Sequence, residues 1–323
     1  MRIHIASKDE ISTDHLRNIL TANKFLPYAE YGISIDCLIN YIVRNIQDSL
    51  EKGSFVLVAE EKNNILGLLV GGKSEWDSKH FGIEIAIIRY LFTSGDYYER
   101  RQCAKELLAS LSAISKFKLV ISRSHTEDIP LVHAIEDSSF QLMDTLVTYY
   151  FDFKNKISDF KESCKIEPLK DEMPELKRIA KTSFSEASVA TDHFHADHRL
   201  NEAKSDSLYE QWVEETSKDK DNVVLVAKID NRPVGFTTGK INNQLNNYSN
   251  KKIGSLILSA VSLEYRQAHV YTSMIQTGLR WFSDKVDIVD LGTQIGNYSV
   301  QIAWQKLGFR IVSSRYTWHK WVD

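Results

Sequence analysis

The sequence predicts a mixed α/β fold, a mostly antiparallel mixed sheet flanked by helices, built twice along the chain. Three observations predict it. Val56-Leu57-Val58-Ala59 is followed, eight residues after the alanine, by Gly67, and Val224-Leu225-Val226-Ala227 is followed at the same distance by Gly235. Asp128 lies twelve residues before Phe140, and Asn297 lies twelve before Phe309. The offsets between the copies, 168 and 169 residues, nearly coincide, as a duplicated domain requires.

Each copy follows one order. Helices come first, expected in the second copy over residues 172–184 and 201–215. A hairpin follows. In the first copy residues 55–60 and 65–71 are joined by Lys62-Asn63-Asn64; in the second, residues 223–229 and 233–240 are joined through Asp230-Asn231-Arg232. A buried strand comes next, residues 83–92 or 253–262. An amphipathic helix then carries Ala104, Leu107, Leu108, Leu111 and Ile114, or Val270, Met274, Ile275, Leu279 and Phe282, at helical spacing. A short strand spans residues 118–123 or 287–293, and a helix starts near Asp128 or Asn297, side chains suited to cap a first turn. A pair of strands over residues 140–153 or 309–321 ends each copy. The polar segment 154–164 lies at the repeat boundary, so the expected domains are residues 1–155 and 164–323.

A chain of 323 residues has room for two cores of this size. A net charge of -3 supplies no field for nucleic acid or an anionic membrane. Cys37, Cys103 and Cys164 are too few and too far apart for a disulfide framework or a zinc site, which points to reduced thiols and a cytoplasmic protein. The first ten residues hold no apolar run, and no stretch approaches the length of a membrane span.

This order, with these residues, resembles the GCN5-related N-acetyltransferase (GNAT) superfamily. There the long strand leads into a loop of pattern Arg/Gln-x-x-Gly-x-Gly/Ala, whose amides and helix N-terminus hold the pyrophosphate of acetyl-CoA. Here a strand from Ser255 to Tyr265 runs into Arg266-Gln267-Ala268-His269-Val270-Tyr271. Arg266 stands as the family has it, while His269 and Tyr271 replace glycines. Helical dihedrals do not require glycine, so these two are compatible with the turn; they either crowd the phosphates or, for His269, add a donor. Further segments resemble the dTDP-fucosamine acetyltransferase group: Trp76-Asp-Ser-Lys-His-Phe-Gly82, His193-Phe-His-Ala-Asp197 with Leu208-Tyr209 and Trp212, and Thr293 to Trp321.

The resemblance implies a site. Arg266, Gln267, Ala268, His269, Val270 and Tyr271 would hold the pyrophosphate, and the main chains of Val261 and Leu263 would pair with the pantetheine arm, with Asn297 and Trp304 as further contacts. Many relatives carry a proton-donating tyrosine seven residues after that asparagine; here the position is Trp304, whose indole is no acid at neutral pH. Trp304 lies on the apolar stripe Val300, Ala303, Trp304, Leu307, so core packing is expected, while Tyr298 lies off it and should be exposed. Tyr298, Tyr316 and His319 are the nearest substitutes by sequence, Tyr298 and His319 being taken as candidate acids; release of the thiolate through water, or no catalysis, remains the alternative. Trp76, His195 and Tyr209 are candidate acceptor contacts, each also readable as ordinary packing or solvated loop. The spacing of His193, His195, Asp197 and His198 matches no established metal site, and no metal is expected. In the first copy Thr93-Ser-Gly-Asp96 replaces the phosphate loop, and Asp96 would repel phosphate, so that copy is expected to bind no CoA.

The resulting expectation is an acyltransferase that moves acetyl from acetyl-CoA to a small amine, an amino sugar on a nucleotide destined for surface polysaccharide, with a homodimer left open. The alternatives are a non-catalytic protein of this fold, and an aminoacyl-tRNA-dependent transferase, against which the absent basic surface weighs.

Overall fold

The structure, a computed structural model, describes every residue except 63, 112, 113, 115, 116, 185–190, 267 and 323; part of the expected turn at Asn63 therefore lies outside the described residues. The first copy runs β1 (Arg2–Ile5), α1 (Thr13–Ala22), α2 (Ile35–Glu51), β2 (Phe55–Glu61), β3 (Asn64–Lys73), α3 (Glu75–Phe81), β4 (Ile85–Thr93), α4 (Tyr97–Ser110), β5 (Leu119–His125), α5 (Ile129–Asp137) and β6 (Gln141–Asp152). The second runs β7 (Lys165–Pro168), α6 (Met173–Phe184), α7 (Glu202–Lys218), β8 (Asn222–Ile229), β9 (Arg232–Ile241), α8 (Asn243–Asn246), β10 (Ile253–Val261), α9 (Val270–Phe282), β11 (Ile288–Gln294), α10 (Tyr298–Lys306) and β12 (Arg310–Trp321).

Local chemistry explains most boundaries. Ser12, Ser34, Ser74, Asp96 and Asn201 each cap a helix with a side-chain oxygen that accepts a first-turn amide. Asp230 and Asn231 both take left-handed backbone, φ 50° and 62°, which gives the β8–β9 hairpin its tight two-residue turn. Two expectations need correction. Each copy begins with a strand, β1 or β7, too short at four residues to show a period. Each also ends in one strand of twelve residues rather than a pair, because neither β6 nor β12 contains the Gly, Pro or Asn that would turn the chain.

The chain divides into two compact units: Met1–Thr145 with Tyr248–Asn250 and Ser314–Asp323, and Leu146–Asn247 with Lys251–Ser313. In unit one the strand order is β1-β2-β3-β4-β5, and residues 315–321 of β12 pair antiparallel with β5. In unit two the order is β7-β8-β9-β10-β11, and residues 146–152 of β6 pair antiparallel with β11. The β4–β5 and β10–β11 pairs are parallel and the other pairs are antiparallel. Each sheet thus ends in a strand supplied by the opposite half of the sequence.

Those strands carry core residues. Trp318 packs among Leu57, Leu107 and Ile135 in unit one, and its indole donates to Ser124 Oγ at 2.8 Å. Val147, Tyr149 and Phe151 pack against Leu279, Phe282 and Leu307 in unit two. Burial of each such side chain contributes about 1.5–3 kcal/mol.

The glycines of the sequence repeat mark close helix crossings. A β-carbon on Gly67 would strike Cys103 Sγ of α4, and one on Gly235 would come within 3.0 Å of Met274 Sδ of α9. Cys103 and Met274 therefore hold matching places in the two units.

Candidate functional site

The parallel pairing of β10 with β11 covers only Ile253–Ser255 against Ile288–Asp290. Beyond it β10 stays with β9 as far as Val261, and β11 stays with β6 as far as Gln294. The two strands splay, and the β10 edge facing β11 has no strand partner over its last residues. The main-chain groups there must bond something else. At Val261 part of the answer is inside the protein: its carbonyl accepts from Ser183 Oγ at 3.1 Å. The strand stops at Val261 rather than reaching Tyr265. Leu263 has left it, lying exposed in a 3-10 turn over Leu263–Tyr265.

The loop after that turn leads into α9. His269, immediately before the helix, has φ 55° in the left-handed region. The expectation that helical dihedrals suffice here is thereby corrected: the turn uses the conformation that glycine adopts freely and that costs an L-residue about 1–2 kcal/mol. His269 makes no side-chain capping bond, and among the described residues no side chain accepts from the first amides of α9. Arg266 is half-buried beside them. Among the described residues its one hydrogen bond is long, Nη2 to the Ser183 carbonyl at 3.4 Å, and no carboxylate pairs with it. Burial lowers its pKa, a sign that its charge lacks compensation. Gln267 lies outside the described residues.

Tyr271 does not crowd the loop. Its ring turns inward and touches both the cluster containing Val261 and Met274 and the cluster containing Leu256, Leu291 and Trp304. Trp304 is 3 % exposed and donates its indole N–H to the Tyr271 hydroxyl at 3.0 Å. Tyr149 meets the indole edge-on, with centroids 5.4 Å apart. Tyr298, in the first turn of α10, is 69 % exposed; both burials follow the stripe read from the sequence. Asn297 precedes α10 and donates Nδ2 to Thr293 Oγ1 at 2.9 Å.

Residues 184–309 match the model of the acetyltransferase (GNAT) family. This segment is similar to the GNAT family. No curated protein matches the chain in sequence. Among solved structures, a GCN5-related N-acetyltransferase from Sphaerobacter thermophilus superposes with TM-score 0.61 at 9 % identity, covering 99 % of this chain and 95 % of that one. A tandem GNAT protein from the clavulanic acid biosynthesis pathway gives TM-score 0.57 at 11 % identity, with 99 % and 98 % covered. The glucosamine N-acetyltransferase region of a fungal multi-domain β-N-acetylglucosaminidase gives 0.63 at 14 % identity, with 99 % of this chain and 38 % of that one covered. The GNAT-like fold therefore extends over both copies.

Two other anticipated residues, His195 and Tyr209, lie around Asp192 in unit two. Asp192 Oδ2 accepts from Tyr209 at 2.6 Å and lies 2.8 Å from His195 Nδ1, while His195 Nε2 is 3.3 Å from Asp206. Tyr209 stacks on Phe184 at 4.2 Å. Burial presses the His195 pKa down, but its bonds and the charges of Asp192 and Asp206 outweigh this and raise it. Burial would raise the Asp192 carboxyl, yet His195 and Tyr209 hold it below the ordinary value. Sequence reasoning missed Asp192; the one available signal was its spacing, which places an Asx turn on the amides of Phe194 and His195.

Trp76 and His319 belong to unit one. Trp76 stacks on His80 at 5.7 Å. His319 is 1 % exposed, on the part of β12 that pairs with β5. Near them is Asp77, also unanticipated as a buried group, whose carboxyl is raised by burial although Ser74, His80, Arg123 and His319 draw it down. Among the described residues no group of three or more His, Cys, Asp or Glu side chains could hold a metal, and no helix is long and apolar enough to cross a membrane.

Proposed function

We propose that unit two binds acetyl-CoA at the start of α9 and in the β10–β11 splay, and transfers the acetyl group to the amine of a small acceptor. Unit one, on this reading, is a degenerate copy. The observation that carries the reading is the join of three features: first amides of α9 without a cap and a half-buried Arg266 without a carboxylate partner, both among the described residues, and a splayed strand edge at the end of β10. Amides and a guanidinium together suit a pyrophosphate, and an unpaired strand edge suits an amide-bearing arm. The acceptor we propose is an amino sugar carried on a nucleotide, for surface polysaccharide. The resemblance of scattered segments to the dTDP-fucosamine acetyltransferase group supports it, as does a glucosamine N-acetyltransferase region built on the same fold.

Calorimetry tests the donor site. Acetyl-CoA should bind the wild-type chain with micromolar affinity, and Arg266→Glu should weaken binding by about tenfold or more, the loss expected when a charge-assisted contact becomes repulsive. Absence of binding to wild type would sink the reading and leave a non-catalytic protein of this fold. A thiol-release assay across nucleotide-linked amino sugars, free glucosamine and simple amines then selects the acceptor.

A further inference from the structure

One strand glycine stands apart from the rest. At the described glycines of β3, β9 and β10 a β-carbon would come within 3.0 Å of another atom, so packing explains them. At Gly292 of β11 it would meet only Leu146 and the Val147 carbonyl, at an ordinary 3.5 Å, and the backbone there is not left-handed. Glycine loses more freedom on folding than any other residue and packs nothing, so one without a close neighbour or special dihedrals marks a place that ligand atoms approach. Gly292 is exposed and lies two residues past the last β10–β11 pair, Ser255 with Asp290. Val289 and Leu291 point into the core with α9, so Gly292 faces the other way, as do Asp290 and Gln294. Thr148 and Leu146 stand opposite Gly292 and Gln294 on β6. In unit one the residue 169 positions earlier is Arg123, also exposed and just beyond the parallel pairing. Its Nε donates to Thr317 Oγ1 at 3.3 Å, and Thr317 holds the place that Thr148 has in unit two. One copy covers this face with a guanidinium; the other leaves it bare.

We infer that Gly292 is the specificity-determining position for the acceptor, its bare backbone admitting a hydroxylated ring that a side chain there excludes; this rests on the acetyl transfer proposed above. The flat apolar side of such a ring fits the Cα of Gly292 and the half-buried Leu146. The Thr148 hydroxyl and the Gln294 amide border the same place and offer both donors and acceptors to ring hydroxyls. The Asp290 carboxylate, two residues back on the same face, favours an acceptor that arrives as a cationic amine. A side chain at 292 leaves the core face of β11 and the start of α9 untouched, so it acts on the acceptor and not on the fold or the donor. Arg123 shows that this backbone accepts a long side chain at the matching position.

The test compares wild type with Gly292→Val by thermal unfolding, acetyl-CoA calorimetry and thiol release. The acceptors are a dTDP-linked 4-amino-6-deoxy sugar, glucosamine and ethylamine. Valine suits a strand better than glycine, so the melting temperature should hold or rise. Acetyl-CoA should bind Gly292→Val within about threefold of wild type. The ratio of kcat/KM for the better sugar to that for ethylamine should fall by about tenfold or more, the scale on which a pocket discriminates by a methylene or two. Gly292→Arg, which installs the unit-one residue, should lower that ratio further. An unchanged ratio in Gly292→Val overturns the inference and leaves acetyl transfer standing. A wild type that prefers ethylamine to both sugars overturns it too. Failure of the wild type to bind acetyl-CoA or release thiol with any amine overturns both readings. Should Gly292→Val not fold, Gly292→Ala decides: the ratio falls by about threefold, or the inference falls.

Discussion

The two units start the matching helix differently, after an extended Asp96 in one and a left-handed His269 in the other. In unit one, Asp96 Oδ1 accepts the amides of Tyr98 and Glu99 at 2.8 and 3.0 Å, and Glu99 returns a bond to the Asp96 amide. The anion place at the start of α4 is thus taken by a carboxylate of the chain itself. In unit two no side chain among the described residues caps the start of α9, and Arg266 is nearby. The joint to the next helix differs as well. Counting back three residues from Cys103 and Met274 gives Arg100 and Tyr271. Arg100 Nη2 donates to both oxygens of Asp128 at 2.8 Å, pinning α4 to the start of α5, whereas Tyr271 meets Trp304 through one neutral bond. A duplicated backbone can therefore keep one copy as a self-satisfied frame and leave the other with polar groups to spend on a ligand.

The largest expected effect treats the units as separable. A fragment of residues 164–323 lacks Val147, Tyr149 and Phe151, three core side chains worth about 1.5–3 kcal/mol each, and also the strand that pairs with β11. It should show no cooperative thermal transition, while the whole chain does. A fragment melting as sharply as the whole chain would refute the strand exchange.

Next comes the joint. Asp128 is buried, so Arg100→Met leaves a charge uncompensated and should cost about 3–5 kcal/mol in urea unfolding. Tyr271→Phe, which removes one neutral bond, should cost about 1 kcal/mol. Equal losses would erase the contrast between an ionic pin and a polar pair.

The pH dependence should be smaller. His195 has a folded pKa above its ordinary 6.5, so its stabilising contribution is complete below 6.5 and is lost as pH rises through the raised value. Asp192 runs the other way: its contribution is complete above 3.8 and is lost as pH falls through its lowered value. Thermal unfolding of wild type and His195→Gln should differ most between about pH 4 and 6.5 and converge at alkaline pH. A difference that grows with pH would show that Asp192 and Asp206 do not hold a charged imidazole.

Much of this was legible beforehand because it is local or periodic. The glycines at 67 and 235 reported the repeat, and the α10 stripe separated buried Trp304 from exposed Tyr298. The short edge strands escaped because four residues carry no readable period. Asp192 escaped because its partner Tyr209 lies on the following helix, where only packing brings it near.

By itself, then, the sequence determined two copies of one order of elements and the interior faces of α4, α9 and α10. The tertiary structure alone decided that residues 146–152 complete the second sheet and residues 315–321 the first, that His319 is buried in unit one, and that Tyr271 meets Trp304. The physical reason is common to all three. Strand edges and core faces are matched across long stretches of chain by hydrogen-bond register and shape, and no periodicity within a segment encodes which distant segment satisfies it.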